Sequence, residues 1–184
     1  MKLKDIIMNA SVTLGLQDVS MMLEREAPES ELLGNTNFNL LFRCANLVAG
    51  NIASNYVDTL HTEILDVVDG VLEFSAFTHR PLKIRSVVVN GMPATFELFM
   101  NNIRTRSGRA TVTYAFVPSF KSVEDDAGVL NVSEHVITFG VLAEFAFVSG
   151  MFNEARVFNE RFEHALFSKT MRKNSGTLPR SFRG

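Results

Sequence analysis

The sequence lacks the residues that would hold a small domain together through covalent or metal cross-links. Cys44 is the single cysteine, so no internal disulfide can form, and there is no Cys-x-x-Cys or His-Glu-x-x-His motif. With no histidine near it in sequence, the thiol is expected to be a small buried hydrophobe in a reducing compartment. At 184 residues and 46% hydrophobic content, the chain is long enough to fold on an apolar core alone.

Long apolar runs and a dominant charge are also missing. The N-terminal stretch has a basic start but no uncharged hydrophobic region, and no apolar stretch reaches the ~20 residues of a membrane span. We therefore expect neither export nor membrane insertion, and we favour a cytosolic origin. The formal net charge is −2, so no overall field attracts nucleic acid and any basic contact must be local.

The first third of the sequence has helical periodicity. Apolar spacing predicts a helix that ends at Gly15 and a short second helix capped by Asp18. Pro28 indicates a break. A further helix is predicted from about Asn39 to Tyr56, where apolar residues recur along one stripe.

The middle third changes to the two-residue period of β-strands. The dipeptides Asp69-Gly70, Asn90-Gly91 and Ser107-Gly108 separate strand-like runs and predict hairpin turns. In residues 109–116, apolar side chains alternate with threonine, which is typical of a sheet with one covered face. This predicts a meander of four to six strands that ends at Val117-Pro118.

The last third returns to helix. Asn131 and Glu134 have the spacing of a capping box, and the nearly uniform apolar run at 136–148 predicts a helix enclosed by neighbours. Gly150 is expected to end it, and an amphipathic helix should begin near Asn153.

This order of elements predicts a single α+β domain over residues 1–171. We expect its N- and C-terminal helices to pack on a central antiparallel β-meander.

The end of the sequence differs from the rest. From Lys169 to Gly184 it carries five basic residues and no acid, and regular structure is expected to stop where this segment begins. Leu178, Pro179 and Phe182 lie among the cations, which is more typical of an interface anchor than of a nucleic-acid tail. We therefore expect residues 172–184 to be an arm that docks on another protein. The alternative is that this arm is simply disordered when the chain is alone.

Motifs for catalysis are missing as well. The histidines have no metal-ligand spacing, and there is neither a Gly-x-Ser-x-Gly elbow nor a phosphate-binding glycine motif. The histidines are His61, His79, His135 and His164. Surface or capping roles are expected for them, and Asp125 and Asp126 are expected in a solvated loop. The sequence predicts a protein that is not an enzyme and has no cofactor or metal.

Arginines surround the Ser107-Gly108 dipeptide. Arg104, Arg106 and Arg109 would present three cations at one hairpin tip. Such a tip can contact phosphates or an acidic patch on another protein. The alternative is a charged tip that only keeps the hairpin soluble. The sequence leaves both interpretations open.

Five segments, spread over nearly the whole chain, together carry a resemblance to a known protein family. They are LFRCANLV at 41–48, VTYAFVP at 112–118, the pair FGVLAEFAF at 139–147 and FNEARVFNERFEHAL at 152–166, and LPRSFR at 178–183. Taken together, they resemble the head–tail connector (adaptor) proteins of tailed bacteriophages. The resemblance implies a structural protein of the virion neck, made in the cytoplasm of the bacterial host.

The resemblance also implies partners and contact residues. Adaptors form a ring, commonly of twelve copies, below the portal through which DNA is packaged, and their C-terminal segments dock into portal clefts. Portal-binding residues would then be Arg172, Lys173, Leu178, Pro179, Arg180, Phe182 and Arg183. The hairpin with Arg104, Arg106 and Arg109 would face the DNA channel or the next ring.

Other partners follow from the same resemblance. They are neighbouring copies in the ring, downstream stopper or tail proteins, and packaged DNA that passes without sequence-specific binding; no membrane is involved. Alternatives are a stopper or tail-completion protein of the same neck, or a nucleic-acid-binding regulator whose affinity would fall steeply with salt.

Overall fold

A computed structural model of the chain describes the backbone of residues 1–174 and the side chains of residues 1–168. This part of the chain is α+β, as predicted, with helices at both ends and antiparallel sheets between them. It divides into two compact units. The first combines Met1–Asn51 with the described residues from Ser119 onward, and the second is Ile52–Pro118.

Short helices precede a long one in the N-terminal part of the chain. They are α1 (Leu3–Leu14), α2 (Gln17–Glu24), α3 (Glu29–Gly34) and α4 (Thr36–Asn55). Gly15 ends α1 as predicted, because its φ of 72° is a left-handed conformation that glycine adopts without strain. The prediction that Asp18 caps α2 is wrong, since Leu16 is the N-cap. Pro28 precedes α3 directly, because its fixed φ suits the start of a helix.

The C-terminal helices are α5 (Glu134–Val148) and α6 (Phe152–Asn174). The predicted capping box is wrong: Ser133 is the N-cap of α5, and Asn131 ends a preceding 3-10 turn with a φ of 50°. Asparagine tolerates this left-handed conformation better than most residues. Within residues 1–168, no helix has the length and apolar character needed to cross a bilayer.

Helices of the first unit meet closely at Gly140 of α5. A Cβ atom built there would lie 2.6 Å from Val48 Cγ1 of α4 and 3.1 Å from Phe162 Cε2 of α6. Both neighbours are buried. Glycine therefore allows side chains from two helices to contact the α5 backbone, which holds α6 against α5.

The second unit contains two antiparallel sheets within Ile52–Pro118. Its strands are β1 (Leu60–Val67), β2 (Val71–Glu73), β3 (Pro81–Val89), β4 (Met92–Pro93), β5 (Glu97–Leu98), β6 (Asn102–Arg104) and β7 (Gly108–Phe116). The larger sheet has the order β1-β7-β3-β4, and the smaller has the order β2-β6-β5. Strand order therefore does not follow chain order, and β1 pairs with a strand that comes late in the unit.

The predicted turns have two different outcomes. Asp69-Gly70 and Asn90-Gly91 form two-residue turns in which all four φ angles are positive, as a type I′ turn requires. The prediction of a hairpin at Ser107-Gly108 is wrong. The strands before and after it, β6 and β7, belong to different sheets, so this dipeptide lies in a connection that crosses from one sheet to the other.

The core of the second unit lies on the inner face of β7. Ala110, Val112 and Tyr114 are fully buried there, which confirms the predicted alternation with threonine. Leu72 and Ile103, from the smaller sheet, belong to the same buried cluster. β7 lies in the interior of its sheet, between β1 and β3, and residues of both sheets share its core.

Candidate functional site

The predicted arginine group lies where three connections of the second unit meet. The amide of Gly70 donates to Ser107 Oγ at 2.8 Å, and the amide of Thr105 donates to the Gly70 carbonyl at 3.0 Å. Asn90 and Arg109 exchange a second pair: the Asn90 amide donates to the Arg109 carbonyl at 2.9 Å, and the Arg109 amide donates to Asn90 Oδ1 at 3.1 Å. The connection that carries the arginines is therefore held by hydrogen bonds on both sides.

Two of the three guanidinium groups contact the chain itself. Arg104 lies over the ring of Phe99, with 5.0 Å between its Cζ and the ring centroid. Arg106 donates from Nη2 to the carbonyl oxygens of Met92 at 3.2 Å and Pro93 at 2.9 Å. Both side chains remain exposed, so their other N–H groups can still meet a partner.

Arg109 lies in the first part of β7, opposite Asp66 of β1. The structure thus brings Arg104, Arg106 and Arg109 to one connection, as the sequence predicted, although the connection is not a hairpin tip.

The second predicted group lies at the end of α6. This helix continues to Asn174, so the prediction that regular structure stops at Lys169 is wrong. Residues with good helix propensity occupy the last turns, and basic side chains favour a helix C-terminus. Arg172 and Lys173 belong to the helix backbone, and their side chains lie outside the described residues. The other predicted portal-binding residues lie entirely outside the described residues. They are Leu178, Pro179, Arg180, Phe182 and Arg183.

An apolar surface that sequence analysis did not identify lies at the turn between α5 and α6. Phe147 is 61% exposed and Phe152 is 65% exposed, and their ring centroids are 5.8 Å apart. A groove of about 530 Å³ runs beside them, flanked by Glu144 and Arg156. Aromatic residues are enriched at protein interfaces, and an exposed apolar patch often marks such a contact surface.

A polar cluster in the second unit joins residues that the sequence treated singly. The Tyr114 hydroxyl donates to Glu63 Oε1 and accepts from the His79 amide at 3.2 Å. Thr78 donates to the same carboxylate from its hydroxyl at 2.8 Å. The His79 ring lies 10° from parallel to Phe116, with 4.1 Å between centroids.

The cluster has shifted proton affinities with clear causes. Burial, together with the hydrogen bond to Glu63, raises the pKa of Tyr114 to about 12. Burial alone would favour the neutral acid at Glu63, but hydrogen bonds from Tyr114 and Thr78 outweigh it and hold the pKa of Glu63 below its ordinary value. At neutral pH the Tyr114 hydroxyl is therefore protonated and the Glu63 carboxylate is charged. The cluster fastens the segment before β3 to β1 and β7.

Strand alternation was the signal that could have revealed this cluster. His61 and Glu63 are two residues apart on β1, so they share a face, and Tyr114 lies opposite His61 in the register. The rings of His61 and His79 are 5.2 Å apart between centroids. Without the β1–β7 pairing, no spacing in the sequence connects these residues.

We expect Tyr114→Phe to lower the free energy of unfolding by about 2 kcal/mol at pH 7, because Glu63 loses a charged hydrogen bond and the His79 amide loses its acceptor. The folded-state pKa of Glu63 is depressed, so its stabilisation is present above the ordinary pKa of 4.5 and disappears as pH falls through the folded value. The difference between wild type and variant should therefore shrink as pH falls below 4.5. Urea unfolding at pH 7 and at pH 3.5 measures this difference.

Tyr56→Phe is the matched control, because Tyr56 is the other tyrosine and is 45% exposed. We expect its unfolding free energy to stay within about 0.5 kcal/mol of wild type at both pH values. Equal losses in the two variants would contradict a special role for the Tyr114 hydroxyl.

The remaining chemical candidates occupy structural positions. Cys44 is buried, which confirms its predicted position, and burial with the nearby Glu144 charge raises the pKa of its thiol to about 11. Asp125 accepts from the amides of Lys121 and Ser122, so it closes its own loop. Among the side chains of residues 1–168, no three His, Cys, Asp or Glu converge as a metal site.

Comparison of the sequence with models of known protein families and with curated proteins finds no match.

Proposed function

We propose that this chain is a head–tail adaptor of a tailed bacteriophage. It would form a ring below the portal, attach to the portal through its C-terminal residues and continue the DNA channel toward the tail. The observation that carries this proposal is α6, a 23-residue helix that leads directly into a basic segment without acids.

The part of α6 that precedes this segment is packed into the core. Ala155, Phe162 and Leu166 form the buried stripe of α6, and Phe162 contacts α5 at Gly140. A segment that starts from a fixed helix loses less freedom on docking than one that starts from a loop. Repeating one weak contact around a ring then gives strong attachment through multivalency.

Contacts between copies need an exposed surface of moderate apolar character. Phe147 and Phe152 supply one beside Glu144 and Arg156, which can pair with charges on a neighbour. We assign this surface to the contact between neighbouring copies in the ring.

The arginine group supports a position near DNA phosphates or the next ring. Arg104 and Arg106 are already engaged with Phe99, Met92 and Pro93, so they offer weak contacts rather than a strong nucleic-acid site. A net charge of −2 is also unfavourable for a DNA-binding regulator. Weak contacts suit DNA that must slide through a channel without sequence-specific binding.

The test is assembly on the portal of the same phage. Mixing purified full-length chain with portal rings should give an added layer of density at one end of each ring in electron micrographs. Absence of that layer at ~10 µM chain would contradict the proposal. A layer that forms only on particles already carrying another neck protein would instead indicate a stopper.

A further inference from the structure

The strand β1 lies at the edge of the larger sheet and has one open side. The Phe116 amide donates to the Thr59 carbonyl at 3.0 Å, and the register continues without a shift, so odd-numbered residues of β1 exchange hydrogen bonds with β7. The even-numbered residues direct their amides and carbonyls to the other side, where no strand of the described chain pairs with them. These residues are Leu60, Thr62, Ile64 and Asp66.

The opposite edge of the same sheet is protected. β4 is only two residues long, and one of them is Pro93, which has no amide hydrogen. Arg106 donates to the carbonyls of both β4 residues. Short strands, proline and charge at an edge prevent strand pairing between molecules. β1 has eight residues and neither proline nor a bulge, so length and proline do not protect it as they protect β4. Its charged residues are Glu63, which is engaged by Tyr114 and Thr78, and Asp66.

The side chains of β1 are complementary to a second copy of the same strand. When Thr62 lies opposite the partner's Thr62 in an antiparallel pair, Leu60 lies opposite the partner's Ile64 on the exposed face. On the other face His61 then lies opposite the partner's Glu63. Leu60 and Ile64 are 55% and 57% exposed in the single chain, so pairing would cover apolar surface that water now contacts.

Charge disfavours one neighbouring register. A pairing centred on residue 63 would place Glu63 opposite the partner's Glu63, and like charges directly opposite are unfavourable. In the chosen register Asp66 lies opposite the partner's Asp58, but Asp58 already forms an ion pair with Arg85. The guanidinium therefore offsets the repulsion at each end of the pair.

We propose that β1 is a homodimerisation edge, at which a second copy of this chain adds its own β1 antiparallel with Thr62 on the two-fold axis. About six backbone hydrogen bonds would join the two larger sheets into one continuous sheet. An interface of this small size gives a reversible dimer with a dissociation constant of roughly 1–100 µM.

This inference goes beyond the proposed adaptor function. A two-fold pair points its subunits in opposite directions and cannot repeat around a ring that faces one way. The dimer therefore belongs to the free protein before assembly. Its test needs no portal, so its failure and the failure of the adaptor proposal are distinguishable.

The test compares one substitution at each edge of the sheet. Sedimentation equilibrium of the full-length chain should give a dimer of the 20.5 kDa monomer at about 200 µM. Ile64→Lys should weaken the dimer at least tenfold, because lysine at an edge opposes pairing. Met92→Lys on β4, where Met92 is 60% exposed, should leave it unchanged. A monomeric wild type, or equal behaviour of the two variants, would overturn the proposal.

Cross-linking tests the register separately and does not depend on how Ile64→Lys folds. Oxidation of Thr62→Cys should give a disulfide-linked dimer, because the two positions face each other across the axis. Asp66→Cys is the control: the two copies of this position would lie eight residues apart along the strands, roughly 26 Å, so no cross-link should form. Cross-linking at 66 without cross-linking at 62 would refute the proposed pairing.

Discussion

Removal of residues 175–184 should abolish attachment to the portal, while the free energy of unfolding stays within about 0.5 kcal/mol of the full chain. The last buried residue in the described part of the chain is Leu166, and a stop after Asn174 keeps all of α6. The cut therefore removes proposed contacts and no known core. Retention on immobilised portal rings measures binding, and urea unfolding measures stability.

Paired substitutions divide the effect between apolar anchors and charge. Leu178→Ser with Phe182→Ser should weaken portal binding at least tenfold, because buried anchors carry most of the energy of an interface. Arg180→Gln with Arg183→Gln should lose less affinity in ~0.15 M salt and should chiefly slow association. Decoration of portals by the truncated chain at wild-type levels would show that the attachment site lies elsewhere.

Periodicity was a sufficient guide to the long helices. The apolar stripe in 41–52 and the uniform apolar run in 136–148 are local sequence patterns that reflect how each helix is buried. Both predicted helices are present, as α4 and α5. Helix ends were less predictable. Asn131 is a residue type that often caps the start of a helix, but here it adopts a positive φ and ends a 3-10 turn.

Turn chemistry predicted local reversals but not strand order. Asp69-Gly70 and Asn90-Gly91 fix their own backbone angles, so two residues are enough to identify them. Ser107-Gly108 has similar composition, yet Ser107 binds the Gly70 amide and the chain passes to the other sheet. β1 pairs with β7, which lies more than 40 residues later in the chain. A short stretch of sequence therefore cannot reveal this pairing.

The candidate sites divide in the same way. The arginines around residue 107 are close in sequence and stay close in space. Phe147 and Phe152 were assigned to neighbouring helices, and their exposure is set by where α5 leaves the core, which sequence alone does not give. Glu63, His79 and Tyr114 meet only after the sheet has formed.

Replacing Phe162 by alanine should have the largest effect on stability, a loss of about 3–5 kcal/mol in the free energy of unfolding. Phe162 is 4% exposed and lies against Gly140. Because glycine has no side chain, it cannot move into the cavity that the alanine substitution would leave. For a chain of this length the loss lowers the unfolding temperature by roughly 10 °C. Calorimetry and urea unfolding measure the two quantities.

Phe152→Ala is the matched control, because it removes the same ring from the same helix at a position that is 65% exposed. We expect it to cost less than about 1 kcal/mol. Portal binding should separate Phe162→Ala from the truncation at residue 174. Below its unfolding temperature Phe162→Ala keeps residues 175–184 and should bind normally, whereas the truncated chain should be stable and unable to bind. If Phe162→Ala lost binding while still folded, the position of α6 would itself be part of the portal contact, and residues 175–184 would not be sufficient for docking.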